Sequence, residues 1–169
     1  MDTRYATQRD VPAMVDVQRA GFQAALIPLL PEEFALPDEG EWRANLADAL
    51  ADDAVRALVV DADQGLAGLV VYGANRDVEP AAGAGEIRAM FVHPDNWRRG
   101  IGRGLVEVAC VDLEKMGYSA ATLWSLRDND RGSAFYADLG FTRDGSTQTR
   151  PHLGAPEVRY ARSLGPPRQ

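Results

Sequence analysis

Between Arg98 and Gly104 the chain alternates cations and glycines, RRGIGRG, just after a β-rich run that closes with FVHP. A strand ending at His93, a tight loop and a helix beginning near Gly100 would leave several backbone N–H groups unpaired at a helix N-terminus. The helix dipole favours negative charge there too. Gly100, Gly102 and Gly104 lack a Cβ, so a bulky anion can approach the backbone, and Arg98, Arg99 and Arg103 can add charge-assisted hydrogen bonds. A diphosphate suits this chemistry. A P-loop would need Lys and Ser or Thr after its second glycine, where Arg103 and Gly104 stand. The dinucleotide fingerprint GxGxxG fails as well, because GIGRGL brings its third glycine one residue early.

A second block, LRDNDRGSAFYADLGF, runs from Leu126 to Phe141. Together with FVHPDNWRRGIGRGL it resembles the signatures of the GNAT superfamily of N-acetyltransferases, namely the acyl-coenzyme A motif Q/R-x-x-G-x-G/A and the later N-x-x-A-x-x-F-Y-x-x-x-G-F pattern. Gly100 and Gly102 match the first; Asn129, Phe135, Tyr136, Gly140 and Phe141 match the second in register. Trp97 departs from the Gln or Arg of the first motif, which leaves the backbone cradle intact, and Gly132 replaces the usual alanine. The resemblance covers Glu86 to Phe141, with the blocks in the family's order and a helix and a strand between them.

What the resemblance implies is transfer of an acetyl group from acetyl-coenzyme A to an amine, by direct attack of the amine on the thioester. The phosphate contacts fall on Trp97, Arg98, Arg99, Gly100, Ile101, Gly102, Arg103 and Gly104. The pantetheine arm would pair with Phe91 and Val92, the Val92 N–H serving as oxyanion donor; one such donor is worth roughly 3 kcal/mol. Asn129 would hold the pantetheine amide, or act as a helix N-cap before Asp130, or both. Tyr136 would be the general acid, donating its phenol proton to the departing thiolate. Glu86, fourteen residues before Gly100, matches the offset of the catalytic glutamate in some histone-acetylating members; a water chain is the alternative base. No metal is expected, His93 reads as loop structure, and Cys110 as a small buried hydrophobe.

The elements that must hold these residues follow from periodicity. Thr3–Ala6 reads as a short strand and Val11–Ala25 as a helix, with Asp10 as N-cap and Pro12 in the first turn. A proline-broken loop leads to a helix over Glu41–Ala51. Val55–Val60 and Leu66–Tyr72 form a hairpin through Gly65, and Gly85–His93 is the strand before the glycine-rich loop. A helix from about Gly100 is closed by Gly117, Thr122–Leu126 is a strand, and Arg131–Leu139 a helix closed by Gly140. Strands around Phe141–Gln148 and Glu157–Ser163 complete an α/β (α+β) pattern. The GNAT-like fold implied is a mixed, mostly antiparallel sheet of about six to seven strands flanked by about four helices.

At 169 residues the chain fits one domain over 1–164, with 165–169 as a flexible tail. A net charge of −7 argues against nucleic-acid and membrane-surface partners, which need extended positive potential. With one cysteine and no leader-like start, a cytoplasmic location is expected. In the family the acceptor enters opposite the coenzyme, here near Phe22–Trp42, Tyr72 and Thr147–Pro156. Carboxylates in PEEFALPDEGE either steer a cationic amine or form a solvated face. The acceptor is a small-molecule or peptide amine: an antibiotic, polyamine, amino acid or peptide N-terminus. A non-catalytic acyl-coenzyme A sensor, or use of a longer acyl group, is the alternative. A homodimer through the last strand is also expected from the family.

Overall fold

The computed structural model of the chain describes residues 2–165. Its elements are β1 (Thr3–Tyr5), α1 (Val11–Ala25), α2 (Glu39–Ala51), β2 (Val55–Asp61), β3 (Leu66–Ala74), β4 (Ala84–Val92), α3 (Ile101–Lys115), β5 (Ala120–Leu126), α4 (Asp130–Asp138), β6 (Thr142–Thr149) and β7 (Pro156–Ser163). The strands form one sheet in the order β1-β2-β3-β4-β5-β7-β6, and β4 with β5 is its only parallel pair among the described residues. This is the mixed, mostly antiparallel sheet with four helices that the family resemblance implies.

β3 is buried along almost its whole length because helices cover both faces of the sheet, which also erases the in–out alternation of a half-exposed strand. On one face α1 and α2 bring Met14, Val15, Val17, Trp42 and Leu46 onto Val59, Leu69 and Val71. On the other, α3 brings Leu105, Ala109 and Leu113 onto Val70, Ile87 and Leu123. Phe135 and Tyr136 of α4 pack against that second core.

Local chemistry sets the ends of the elements. α2 begins two residues before the predicted start because Asp38 and Glu41 form a capping box: Glu41 N donates to Asp38 Oδ1 at 2.9 Å, and Asp38 N to Glu41 Oε2 at 3.0 Å. Asp10 does not cap α1 with its side chain. Its carboxylate instead accepts from the Thr7 amide at 2.7 Å and pairs with Arg4 at 2.8 Å, which joins the first turn to β1. Gly117 and Gly140, at φ 97° and 81°, follow α3 and α4 in the left-handed region that favours glycine. Of the predicted tail 165–169, residues 166–169 lie outside the described residues. No helix among the described residues is long and apolar enough to cross a membrane.

Candidate active site

β4 and β5 pair only at Ala84–Ala120, Gly85–Ala121 and Glu86–Thr122, although β4 continues to Val92 and β5 to Leu126. Past that point the two strands part. One cause lies on the other edge of β4, where Val71 faces Ala89 but Tyr72 faces Ile87, so Arg88 is an extra, bulged residue that bends the strand. His93 N donates to Ala67 O of β3 at 2.9 Å. Because backbone groups alternate along a strand, the amides of Met90 and Val92 turn away from β3, into the gap. The gap opens into a cleft of about 1040 Å³ that extends from α1 and α2 on one side to α3 and α4 on the other.

At one end of the cleft the glycine-rich loop enters α3. Gly100 is the N-cap at φ 78°, and Arg98 also has a positive φ of 62°. Gly104 N bonds to Gly100 O, whereas the amides from Arg98 to Arg103 have no acceptor among the described residues. Six consecutive donors at a helix N-terminus form a cradle for an anion. A Cβ on Gly102 would lie 3.3 Å from the Phe135 ring, so the second motif glycine also lets α4 pack close to α3. Arg98, Ile101 and Arg103 line the cleft. Arg99 and Gly104 do not; Arg99 is exposed, with Nη1 at 3.4 Å from Asn96 Oδ1.

Trp97, the departure from the family motif, has a part of its own. Its Nε1 donates to Val92 O at 2.8 Å, and the Arg131 guanidinium stacks on its ring at 3.8 Å from the centroid. Arg131 lies inside the second motif block but carries no sequence signal for this role; only the fold brings it over Trp97.

Tyr136 lines the cleft between the two parting strands, half-buried, with its ring against Phe135, Phe141 and Tyr160. Its hydroxyl has no hydrogen-bond partner among the described residues, and burial, reinforced by Tyr160, pushes its pKa up to about 12. Asn129 Oδ1 accepts from Gly132 N at 2.9 Å, the N-cap of α4. A Cβ at position 132 would sit 2.5 Å from the Asn129 amide nitrogen, so glycine in place of the family alanine makes room for this cap. Asn129 nonetheless lines the cleft.

Glu86 sits elsewhere. It is 2% exposed, lies outside the main cleft in a neighbouring polar pocket, and accepts three hydrogen bonds from Arg76 between 2.8 and 3.1 Å. One of these comes from the Arg76 backbone amide and two from its guanidinium, so both carboxylate oxygens are engaged. Cys110 faces the α3-side core, and burial raises its thiol pKa to about 11. His93 accepts from Asp95 N at 3.3 Å, capping a short turn.

The other end of the cleft is walled by aromatic rings. Phe22 stacks on Phe34 at 5.7 Å and meets Trp42 edge-on at 5.5 Å. The carboxylates of Glu32, Glu33, Glu39 and Glu41 do not line the cleft. Tyr72 is likewise withdrawn, fully buried with its hydroxyl donating to Asp112 at 2.6 Å. Arg76, Arg88 and Arg150 line the cleft, as do the acids Asp48, Asp52 and Glu157. His152 reaches it as well, on the loop before β7.

Residues 22–141 match the Acetyltransferase (GNAT) family. The chain belongs to the GNAT family. Solved structures agree in fold: this GNAT protein superposes on the PaiA N-acetyltransferase of Thermoplasma acidophilum in complex with coenzyme A with a TM-score of 0.75 and 18% identity, covering 96% of this chain and 98% of that one. The ribosomal-protein-alanine N-acetyltransferase of Brucella melitensis gives a TM-score of 0.74 at 19% identity, covering 96% and 99%. The ribosomal-protein-S18-alanine N-acetyltransferase of Escherichia coli gives 0.70 at 16%, covering 96% and 93%. No curated protein sequence matches this GNAT chain significantly.

Proposed function

We propose that this GNAT protein transfers the acetyl group of acetyl-coenzyme A to a primary amine, by direct attack within a ternary complex. The observation that carries the reading is the gap between β4 and β5, with unpaired backbone donors of β4 along it and Tyr136 lining the cleft into which it opens. The PaiA relative, which has the same fold, is a complex with coenzyme A. Here the diphosphate is received by the amides from Arg98 to Arg103, with Arg98 and Arg103 adding charge. The pantetheine arm lies along Met90 and Val92 as an added strand, and Asn129 meets its amide from the β5 side. Phe91, expected from the sequence to share this pairing, turns its backbone groups to β3 and lines the cleft without them.

The amine nitrogen bonds to the thioester carbon while the carbon–sulfur bond breaks. Negative charge gathers first on the carbonyl oxygen, where the Val92 N–H receives it, and then on sulfur. Tyr136 gives its phenol proton to that sulfur, and its raised pKa keeps the proton available throughout the neutral range. One ammonium proton leaves through water before the attack, since Glu86 is occupied by Arg76. The second proton, shed by nitrogen once it has bonded to carbon, returns through water to the tyrosinate and restores the phenol. Thiol release measured with acetyl-coenzyme A and a panel of primary amines tests the reading. Release with at least one amine supports it; tight binding of acetyl-coenzyme A with no release for any amine returns the chain to an acyl-coenzyme A sensor.

A further inference from the structure

Three arginines that line the cleft differ in their partners. Arg76 is neutralised by Glu86 at 2.8 Å and Arg150 by Glu157 at 2.9 Å. Arg88 has only a neutral acceptor, the Ala74 carbonyl, to which Nη2 donates at 2.6 Å. Its Nε is buried with no partner, and among the described residues no carboxylate makes an ion pair with it. Two acids lie in electrostatic range of it. Glu86 is already engaged by Arg76, and Asp52 is exposed, with Oδ1 accepting from Ala54 N at 2.9 Å. Burial, with the neighbouring Arg76, pushes the Arg88 pKa below its ordinary value, as befits a cation short of counter-charge.

The bulge decides where this cation stands. Ile87 and Met90 pack with the α3-side core, whereas Ala89 and Phe91 pack with the α1-side core, so the extra residue turns Arg88 and Ala89 to the same, α1-facing side. There Arg88 lines the cleft, as does Trp42, whose Nε1 is also buried without an acceptor. A partly buried cation and a buried donor, both unsatisfied, cost stability until a ligand supplies an anionic acceptor.

We propose that the acceptor amine carries a carboxylate, which Arg88 receives, while the wall of Phe22, Phe34 and Trp42 takes its apolar part. The inference rests on the acetyl-transfer reading above. One unpaired guanidinium matches a single negative charge, and its planar fork suits a carboxylate. A polyamine would instead bring further positive charge to a cation that already lacks a partner.

The test is calorimetric titration of the coenzyme A-loaded protein with N-acetyl-L-phenylalanine against N-acetylphenethylamine, and with N-acetyl-4-aminobutyrate against N-propylacetamide. Turnover of the four parent amines is measured alongside. The carboxylated member of at least one pair is expected to bind about tenfold tighter or more. R88Q should reduce that ratio to near one, and R88K should keep part of it. Equal binding within both pairs, a ratio unchanged in R88Q, or no binding by any of the four overturns the inference. If R88Q fails to fold, the wild-type ratios and R88K decide. Carboxylate preference without thiol release for any amine would sink the transfer reading and leave the Arg88 site standing; release with no carboxylate preference would do the reverse.

Discussion

The indole Nε1 of Trp97 donates to the Val92 carbonyl at 2.8 Å, tying the loop that precedes α3 to the last residue of β4. This bond links the run of unpaired amides before α3 to the open edge of β4, the two features on which the proposed coenzyme site rests, and Arg131 stacks on the same ring. One side chain thereby fixes the loop before α3 against the end of β4.

Trp97→Phe keeps a ring under Arg131 but removes the hydrogen bond, a change of about 1 kcal/mol. Coenzyme A should bind several-fold more weakly by calorimetry. Trp97→Ala removes the stack as well and should weaken it further, by up to about another 1 kcal/mol. Equal affinity in all three proteins would deny Trp97 any part in the site.

Tyr136→Phe should lower turnover by about 10²-fold or more while the coenzyme A dissociation constant changes little. Because burial raises the phenol pKa to about 12, the proton donor is intact well past the ordinary tyrosine value of about 10. A pH–rate profile should therefore show no alkaline decline centred near 10; one that disappears in Tyr136→Phe would contradict this assignment.

Glu86→Gln should lower the melting temperature, because it leaves the Arg76 guanidinium without its buried partner. Turnover should fall less than about tenfold, well short of the loss that follows removal of a general base. A loss of about 10²-fold or more in a folded variant would restore Glu86 as the base.

Gly100→Ala places a Cβ at φ 78°, where no protein atom lies within 4 Å. The cost is conformational, about 1 kcal/mol, or roughly 2–4 °C in a domain of this size. Coenzyme A affinity should drop more than stability does, since the added methyl group stands among the amides that face the anion. Calorimetry beside thermal denaturation separates the two effects.

Asp10 is held down to a pKa of about 2, chiefly by Arg4, from an ordinary 3.8. A carboxylate with a depressed folded pKa stabilises the fold above its unfolded value and loses that contribution as pH falls through the folded one. Asp10→Asn should therefore be less stable than wild type at about pH 6, and the gap should close between about pH 4 and pH 2. Melting curves over that range would give the comparison; a constant gap would remove the ion pair as its cause.

The glycine-rich turn into α3, the Asn129 cap and the Tyr136 block are legible in the sequence because each is encoded over a few adjacent residues, by turn conformations, capping chemistry and helical spacing. The same local rules place every strand and α-helix to within two residues, the widest misses being the start of α2, which the Asp38–Glu41 box extends, the end of β3 and the start of β5. What joins distant segments is not legible. The pairing of Glu86 with Arg76, the phase change that turns Arg88 into the cleft, and the stacking of Arg131 on Trp97 all depend on how strands register and where they part. Gly154, where a Cβ would lie 3.4 Å from Pro31, likewise brings two remote loops together over the aromatic end. The sequence by itself determined the GNAT family and the glycine-rich turn into α3; tertiary structure alone decided which charges line the cleft, because partner choice among buried ions follows long-range packing and not local periodicity.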